Sequence, residues 1–413
     1  MSSTGLGVST SFVFLFVLFG ALLERAGAGH YFIQLAFSLL GHMRGGPAKA
    51  AVVSSALTGM ISGSSIANVV TTGTFTIPMM KKVGFSKEKA GAVEVASSVN
   101  GQIMPPVMGA AAFLMVEYVG IPYVEIIKHA FLPATISYIA LFYIVHLEAL
   151  KQNMQPIGTH QPKPWLRRLT GFAFGVALIS GLSLAVYYGL GWLKPALGEY
   201  ALPGISVLLA VAYLALLKVA ASNPPLPAED PDKPLEELPN TRSVLLSGLH
   251  FLVPVVVLVW CLMIERLSPG LSAFWGTVML VFILLTQRPL LSWMRRDGSH
   301  QHGTFKDGLV DLREGLIAGA RNMIGIGIAT AAAGVIVGAV SQTGVGLVLA
   351  DLVEMLSMGN LLLMLVLVAV FSLILGMGLP TTANYIVVSS LLAPVVVSLA
   401  QQNGLIVPLI AVH

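Results

Sequence analysis

The sequence predicts an all-α polytopic membrane protein, and three observations support this prediction. Of the 413 residues, 56% are apolar and only 10% are charged. Soluble chains are nearer to roughly 45–50% apolar and about 25% charged. Long apolar runs alternate with short loops that hold most of the Lys and Arg, and the alternating segments typical of a membrane β-barrel are absent. These features exclude a soluble enzyme, a disordered chain and a nucleic-acid-binding protein.

Seven apolar runs are candidate membrane-spanning helices, since a span needs roughly 20 apolar residues. Backbone groups in lipid must hydrogen-bond internally, so each run is expected to be helical. The run 9–24 is slightly short, and the run 315–340 is rich in Gly and Ala. The other runs are 129–147, 169–190, 201–218, 244–263 and 271–287.

Lys and Arg in the loops orient these helices. Twelve of them fall in the loops 148–168, 218–242 and 288–313, whereas only two fall in the loops between these. Positively charged loops remain in the cytoplasm. The three rich loops are therefore predicted to be cytoplasmic, as is the acidic, Pro-rich linker 223–240 within the second.

A re-entrant helical hairpin is predicted over 48–80. The apolar run 48–62 is too short to cross a membrane, and it ends in Gly and Ser residues around Gly63 before a second apolar stretch returns to Lys81. Basic residues flank both ends, which places both ends in the cytoplasm. The Gly/Ser tip then lies at membrane depth, where irregular backbone is tolerated only inside protein or beside a watery cavity.

The next element, 88–116, is predicted to be a discontinuous helix. Pro105 and Pro106 cannot continue an ordinary helix and free the carbonyls upstream of them. Neutral side chains such as Ser98 and Asn100 add further oxygens just before the break. Discontinuous helices of this kind are typical of transporter binding sites.

A second hairpin is predicted over 359–401. No Lys or Arg follows Arg321, and the helix 315–340 runs outward, so this hairpin enters from the periplasm. Its motif aligns with the first hairpin at an offset of 315 or 316 residues. The matched pairs are Gly63 with Gly378, Asn68 with Asn384, and Pro78 with Pro394.

Two units of opposite orientation form an inverted repeat, an architecture suited to alternating access. The first repeat, 1–147, comprises a helix, an arm at 28–43, the hairpin, the broken helix and the helix 129–147. Residues 148–313 hold the intervening transmembrane helices. Residues 314–413 are predicted to form the second repeat, which is expected to be truncated.

Three motifs resemble the large permease subunit of TRAP transporters. They are Ile61–Asn68, Ala96–Phe113 and Gly376–Tyr385, the last being similar to the fused TAXI-type branch. The resemblance runs from about residue 9 to the end. Fused members carry small-subunit helices upstream and a second broken helix downstream, so the chain is expected to be a fragment.

This resemblance implies an elevator-type transporter in the bacterial inner membrane. Its activity would be Na⁺-coupled uptake of a small organic anion, such as a carboxylate. A periplasmic solute-binding protein would deliver the substrate, and a small subunit of several helices, fused or separate, would complete the permease. Na⁺ is the coupling ion, and no other cofactor is expected.

Candidate ion- and substrate-binding residues lie at the hairpin tips and the helix break. Hydroxyl and carbonyl oxygens suit a hard monovalent cation, and helix N-termini favour an anion. An alternative role for the tip residues is helix capping. The candidates are Gly63, Ser64, Ser65, Asn68, Ser97, Ser98, Asn100, Gly101, Pro105, Pro106, Gly376, Gly378, Pro380, Thr381, Thr382 and Asn384. Na⁺ is expected at Ser64, Ser65, Asn100 and Thr381.

Few ionisable residues lie at membrane depth. Glu94 is near the cytoplasmic end of its helix, where pairing with Lys87 or Lys89 is expected. Proton pumps usually carry buried Asp, Glu or His, so the scarcity of these residues favours Na⁺ over H⁺ coupling. The spacings Gly59/Gly63, Gly315/Gly319 and Gly334/Gly338 predict close helix packing.

Two alternative functions remain open. The first is a stand-alone ion-coupled organic-anion transporter that needs no binding protein. The second is a membrane scaffold fragment that does not transport. A Gly-Lys-Ser/Thr phosphate loop and the common hydrolase motifs are absent, so neither ATP-driven transport nor enzymatic activity is expected.

Overall fold

The computed structural model describes residues 13–155, 188–189, 198–226, 238–295, 304–344, 348, 351–352, 355–377 and 381–413. These residues are largely helical and contain no strand, which confirms the all-α prediction. All but two residues of the predicted run 169–190 lie outside the described residues.

The first part of the chain, up to residue 155, forms short helices followed by one long helix. They are α1 (Phe14–Ala26), α2 (Ala28–Leu40), α3 (Gly46–Ser62), α4 (Ser65–Lys82), α5 (Lys87–Gly101), α6 (Ala110–Val119) and α7 (Tyr123–Lys151).

Their boundaries follow from local sequence signals. Gly27 and Gly63 end α1 and α3 in the left-handed conformation, with φ of 104° and 62°, which favours glycine. Ser64 and Ser86 cap α4 and α5. The helix boundaries between residues 28 and 119 lie within a few residues of those predicted for the arm, the hairpin and the broken helix.

The remaining described helices follow from residue 198. They are the 3₁₀ turn Gly198–Tyr200, α8 (Ala201–Ala221), α9 (Thr241–Ser247), the 3₁₀ turn Leu249–Phe251, α10 (Leu252–Val259), the π turn Trp260–Ile264, α11 (Pro269–Arg295), α12 (Phe305–Thr343), α13 (Leu361–Gly376), α14 (Thr381–Gln402) and α15 (Leu409–Val412).

Among the described residues, four helices are long and apolar enough to cross a membrane. A bent pair, Thr241–Ser247 with Leu249–Ile264, becomes a fifth candidate if it forms one span. The four are Tyr123–Lys151, Pro203–Ala221, Pro269–Arg295 and Thr381–Gln402.

The predicted span 244–263 is bent by 47° near Gly248. The buried side chain of Tyr31 on α2 packs against the bend. A Cβ atom at Gly248 would lie only 2.1 Å from the Tyr31 ring, so this position must be glycine. The Tyr31 hydroxyl donates a hydrogen bond of 3.2 Å to the carbonyl of Leu245, which satisfies a backbone group freed by the bend.

Helix α12 begins ten residues before the predicted run 315–340. A capping box explains this start, because Thr304 and Asp307 satisfy the first amides of the helix reciprocally. The expected division at 313/314 therefore falls inside a continuous helix.

Two groups of helices organise the described part of the chain. We call α1, α11 and α12 the outer group, because these three pack mainly against one another. Helices α2, α3, α4, α5 and α7 form the hairpin group. The groups meet closely at Gly20 of α1, where a Cβ atom would lie 2.8 Å from the Cα atom of Ser62.

The Gly-x-x-x-Gly predictions hold for two of the three spacings. A Cβ atom at Gly59 or at Gly63 would clash with backbone atoms of α5 or of the segment after it. Gly315 and Gly319 of α12 pack in the same way against α1. At Gly338, in contrast, a Cβ atom would meet nothing within 4 Å.

The contact between Gly59 and Gly101 yields a test within one helix. A Cβ atom at Gly101 would lie 2.8 Å from the Cα atom of Gly59, whereas one at Gly91 meets nothing within 4 Å. We expect Gly101→Ala to lower the free energy of unfolding by about 1–3 kcal/mol through overpacking. Gly91→Ala should be neutral or stabilising by up to about 1 kcal/mol. Thermal unfolding in detergent measures both, and equal melting temperatures would contradict the packing.

Candidate functional site

The tip of the first hairpin is a two-residue turn. Gly63 ends α3, and Ser64 accepts a hydrogen bond of 3.3 Å from the backbone N–H of Ala67. Ser64 therefore caps α4, which was the alternative role considered from the sequence. Ser65 is the first residue of α4 and is half-buried.

The side chain of Asn68 lies at the centre of the hairpin and is only 2% exposed. Its amide nitrogen donates to Ser55 of α3, at 3.1 Å to the carbonyl and 2.8 Å to the hydroxyl oxygen. The nitrogen also lies 3.2 Å from the hydroxyl oxygen of Ser98 on α5. The amide oxygen accepts from Thr58 at 2.6 Å. One side chain thus ties three helices together.

A buried carboxylate extends this network. Glu94 of α5 has no exposed surface and accepts hydrogen bonds from the hydroxyls of Thr72, Thr76 and Ser98. The bond from Thr76 is 2.5 Å long. Burying a carboxylate is costly unless its oxygens find donors, and these hydroxyls supply them. We call Ser55, Thr58, Asn68, Thr72, Thr76, Glu94 and Ser98 the hairpin polar cluster.

The expectation that Glu94 pairs with a lysine was wrong. Lys89 pairs with Glu148 of α7, and Lys87 lies 3.9 Å from Glu88. Glu94 instead lies on the face of α5 that packs against α4 and reaches its threonines.

The sequence reasoning missed most members of the hairpin polar cluster, although a signal was present. Asn68, Thr72 and Thr76 follow at intervals of four on α4, as do Glu94 and Ser98 on α5. Residues four apart share one face of a helix. Two such polar faces on apolar helices could have been predicted to pack together.

A non-helical segment separates α5 from α6. Residues 102–109 are not helical. Within this segment the N–H of Gly109 donates to the carbonyl of Gln102 at 2.6 Å, and the Gln102 amide reaches the carbonyl of Gly63 at 3.4 Å. The break is therefore held against the hairpin tip. The two prolines lie in it, and the Tyr123 hydroxyl donates to the carbonyl of Val107 and lies 3.2 Å from that of Pro106.

Three predicted residues before the break have structural contacts. The Ser97 hydroxyl donates to the carbonyl of Val93 at 2.6 Å, and the Ser97 carbonyl accepts from Tyr138 at 2.9 Å. Gly101 provides the close approach to α3. Asn100 is half-buried, and its carbonyl accepts from the N–H of Ile103 at 3.2 Å.

The second hairpin repeats the central contact of the first. The Asn384 amide nitrogen donates to the carbonyl of Ser372 on α13 at 3.1 Å. A Cβ atom at Gly376 would lie 3.2 Å from that nitrogen, much as one at Gly59 would lie 3.3 Å from the Asn68 nitrogen. The Asn384 amide oxygen is buried and has no hydrogen-bond partner among the described residues.

The other predicted residues of this hairpin are described only in part. Thr381 is exposed and Thr382 is buried at the start of α14. Gly378 and Pro380 lie outside the described residues.

The two hairpins and the broken helix share one apolar cluster. Ile61 of the first hairpin, Met108 of the break, and Ala383 and Ile386 of the second hairpin are buried in it. The second hairpin also contacts α6, where the rings of Tyr118 and Tyr385 lie 6.2 Å apart.

The sequence predicts Na⁺ at Ser64, Ser65, Asn100 and Thr381. Among the described residues, no hydrogen bond joins one of these four to another. In the same part of the chain, no group of three or more His, Cys, Asp or Glu is placed to hold a metal ion.

Comparison with known proteins agrees with this architecture. The model of the DctM component of tripartite ATP-independent periplasmic transporters matches residues 1–410. The C4-dicarboxylate TRAP transporter large permease protein of Rhodobacter capsulatus is 36% identical over 91 residues, 22% of this chain and 21% of that protein.

Two further relatives belong to the same kind of transporter. The ectoine TRAP transporter large permease protein of Halomonas elongata is 32% identical over 95 residues, 23% of this chain and 22% of that protein. The C4-dicarboxylate permease of Pseudomonas aeruginosa is 24% identical over 177 residues, 42% of this chain and 40% of that protein. The matched region thus spans less than half the length of these relatives. The match over 410 residues shows that the chain belongs to the DctM family of TRAP transporter permeases, which are inner-membrane proteins and not enzymes.

Proposed function

We propose that the chain forms the transport pathway of a TRAP transporter that takes up a small organic anion together with Na⁺. The observation that supports this most directly is the pair of hairpins, each closed by an asparagine amide and each lying beside the broken helix. Paired hairpins at a broken helix suit a substrate site at membrane depth.

The likeness of the two hairpins supports an inverted repeat. Asn68 and Asn384 each bond the carbonyl of a serine on the preceding helix at 3.1 Å. The helix that carries each asparagine also contains a proline ten residues later, Pro78 in α4 and Pro394 in α14. Such a repeat would let the hairpin group move as an elevator relative to the outer group and expose one site to either side in turn.

The chemistry of the tips favours a cation together with an anion. Helices α4 and α14 both begin at the tips, and their N-termini carry partial positive charge that attracts a carboxylate. The buried amide oxygen of Asn384 has no donor among the described residues. An oxygen of this kind is a suitable ligand for Na⁺, as are the tip carbonyls and hydroxyls.

The proposed substrate class rests on the partial positive charges of the helix N-termini and on the substrates for which the matched proteins are named. The matched proteins are named for C4-dicarboxylates in Rhodobacter capsulatus and for ectoine in Halomonas elongata. We therefore propose that the substrate is a small carboxylate. A periplasmic solute-binding protein would deliver it, and a small subunit would complete the permease.

Ion and partner dependence test this function in proteoliposomes that contain the whole permease. We expect uptake of the labelled substrate to stop when choline replaces Na⁺, because the inward Na⁺ gradient supplies the free energy. Uptake should also stop when the binding protein is omitted.

Uptake that persists without Na⁺ would contradict the coupling. Uptake without the binding protein would favour the stand-alone transporter instead. A complete, folded permease that transports nothing with its partners present would favour the scaffold alternative.

The asparagines provide a second test. Asn68→Ala removes the side-chain hydrogen bonds to Ser55, Thr58 and Ser98 at the buried centre of the hairpin, and each such bond contributes about 0.5–1.5 kcal/mol. We expect uptake to fall at least roughly tenfold, the equivalent of about 1.4 kcal/mol. Within the described part of the chain, Asn384→Ala removes one hydrogen bond; it should also reduce uptake, with little loss of stability.

The matched control is Asn223→Ala, since this exposed amide only bonds the carbonyl of Val219 at the end of α8. Normal uptake by folded Asn68→Ala and Asn384→Ala proteins would exclude the hairpins from the transport site.

A further inference from the structure

An open cleft separates α1 and the start of α2 from the first hairpin. Its polar lining comes from Glu24 of α1 and from Thr58, Ser62, Asn68 and Thr71 of the hairpin. The rest of its wall is apolar or glycine and belongs mainly to α1 and α2. None of the residues predicted from the sequence as Na⁺ ligands lines this cleft.

The cleft offers oxygen atoms as ligands. The Glu24 carboxylate accepts a hydrogen bond of 2.7 Å from the Thr71 hydroxyl, which leaves its second oxygen available. The Ser62 hydroxyl oxygen is buried and has no hydrogen-bond partner among the described residues. The amide of Asn68 is already engaged in the hairpin polar cluster.

The carboxylate of Glu24 forms no close ion pair with a basic side chain in the described part of the chain, although the charge of Arg25 attracts it at longer range. Its neighbour Arg25 points elsewhere, since the guanidinium lies 2.8 Å from Glu314 of α12. A carboxylate beside a largely apolar wall is stabilised by a positive charge, and one carboxylate balances one monovalent cation.

We propose that the cleft binds one monovalent metal cation of the size of Na⁺. The Glu24 carboxylate and the hydroxyl oxygens of Ser62 and Thr71 would be its ligands. Hard cations prefer such oxygen donors. A divalent cation is disfavoured, because Ca²⁺ sites usually contain several carboxylates and this cleft contains one.

This site would join the two helix groups. Glu24 belongs to the outer group, whereas Ser62 and Thr71 belong to the hairpin group. The three residues line one cleft at the boundary between α1 and the hairpin, where Gly20 packs against Ser62 and Thr71 bonds Glu24. A ligand that binds one arrangement better shifts the population towards it, so the cation would stabilise the arrangement described here.

Equilibrium dialysis with ²²Na⁺ on the purified permease tests the site. We expect Glu24→Gln to lose one bound Na⁺ per chain, or to weaken that ion by at least roughly tenfold. Ser62→Ala should weaken it less, and Thr71→Ser should retain it because the hydroxyl is kept. Glu125→Gln is the matched control, since this carboxylate pairs with Lys128 on an exposed turn of α7.

Thermal unfolding without Na⁺ establishes that each variant is folded. Ser62→Ala provides a second variant that removes only one hydroxyl group. Unchanged stoichiometry and affinity in Glu24→Gln and Ser62→Ala would overturn the cleft site. That result would leave the proposed function intact if uptake still requires Na⁺. Loss of the ion in the Glu125→Gln control as well would also overturn the assignment, because the effect would then not be specific to the cleft.

Discussion

The amide of Asn68 is the contact on which the first hairpin depends. It joins α3, α4 and α5 within a largely apolar region, where an unpaired polar group costs about 1–3 kcal/mol. Apolar packing is non-directional and could be satisfied with the helices at several rotations. The amide permits one arrangement, because its donors and acceptor must all be satisfied. The tip lies against the break between α5 and α6, because the Gln102 amide reaches the carbonyl of Gly63 at 3.4 Å.

Two levels of organisation build on that contact. Within the hairpin group, Glu94 and the threonines of α4 continue the hydrogen-bond network. Between the groups, glycines let backbones approach closely, and the oxygens of the cleft lie at that boundary. Buried hydrogen bonds join the helices within the hairpin, whereas its contact with α1 consists of apolar packing, the close approach at Gly20 and the bond from Thr71 to Glu24. Such a boundary suits movement of one group relative to the other.

Apolar runs and the residues that end helices made much of the fold predictable from the sequence. Gly63, the prolines at 105 and 106 and the capping serines end or begin helices through constraints on the local backbone. The bend at Gly248 was not predictable, because it packs against Tyr31, which lies more than 200 residues away. The start of α12 at Phe305 was missed since a capping box outweighed the charged residues that suggested a loop.

The candidate site was predicted in part. Asn68, Ser98 and Asn384 were identified from their motifs, and the structure gives each a central contact. Ser64 caps a helix and Ser97 bonds within its own helix, because a hydroxyl near a free backbone group usually satisfies that group first. The predicted ion pair of Glu94 with Lys87 or Lys89 was wrong, because it considered charge alone. Glu94 lies on the face of α5 that packs against α4.

The central claim is that the hairpin group moves relative to the outer group. Pulsed electron spin resonance tests it most directly, with labels at Val70 of α4 and Leu316 of α12, which are both exposed, and with Cys261 replaced by serine. The account predicts two distance populations whose ratio changes when Na⁺ is added. A single distance that is unchanged by Na⁺ and by substrate would contradict it.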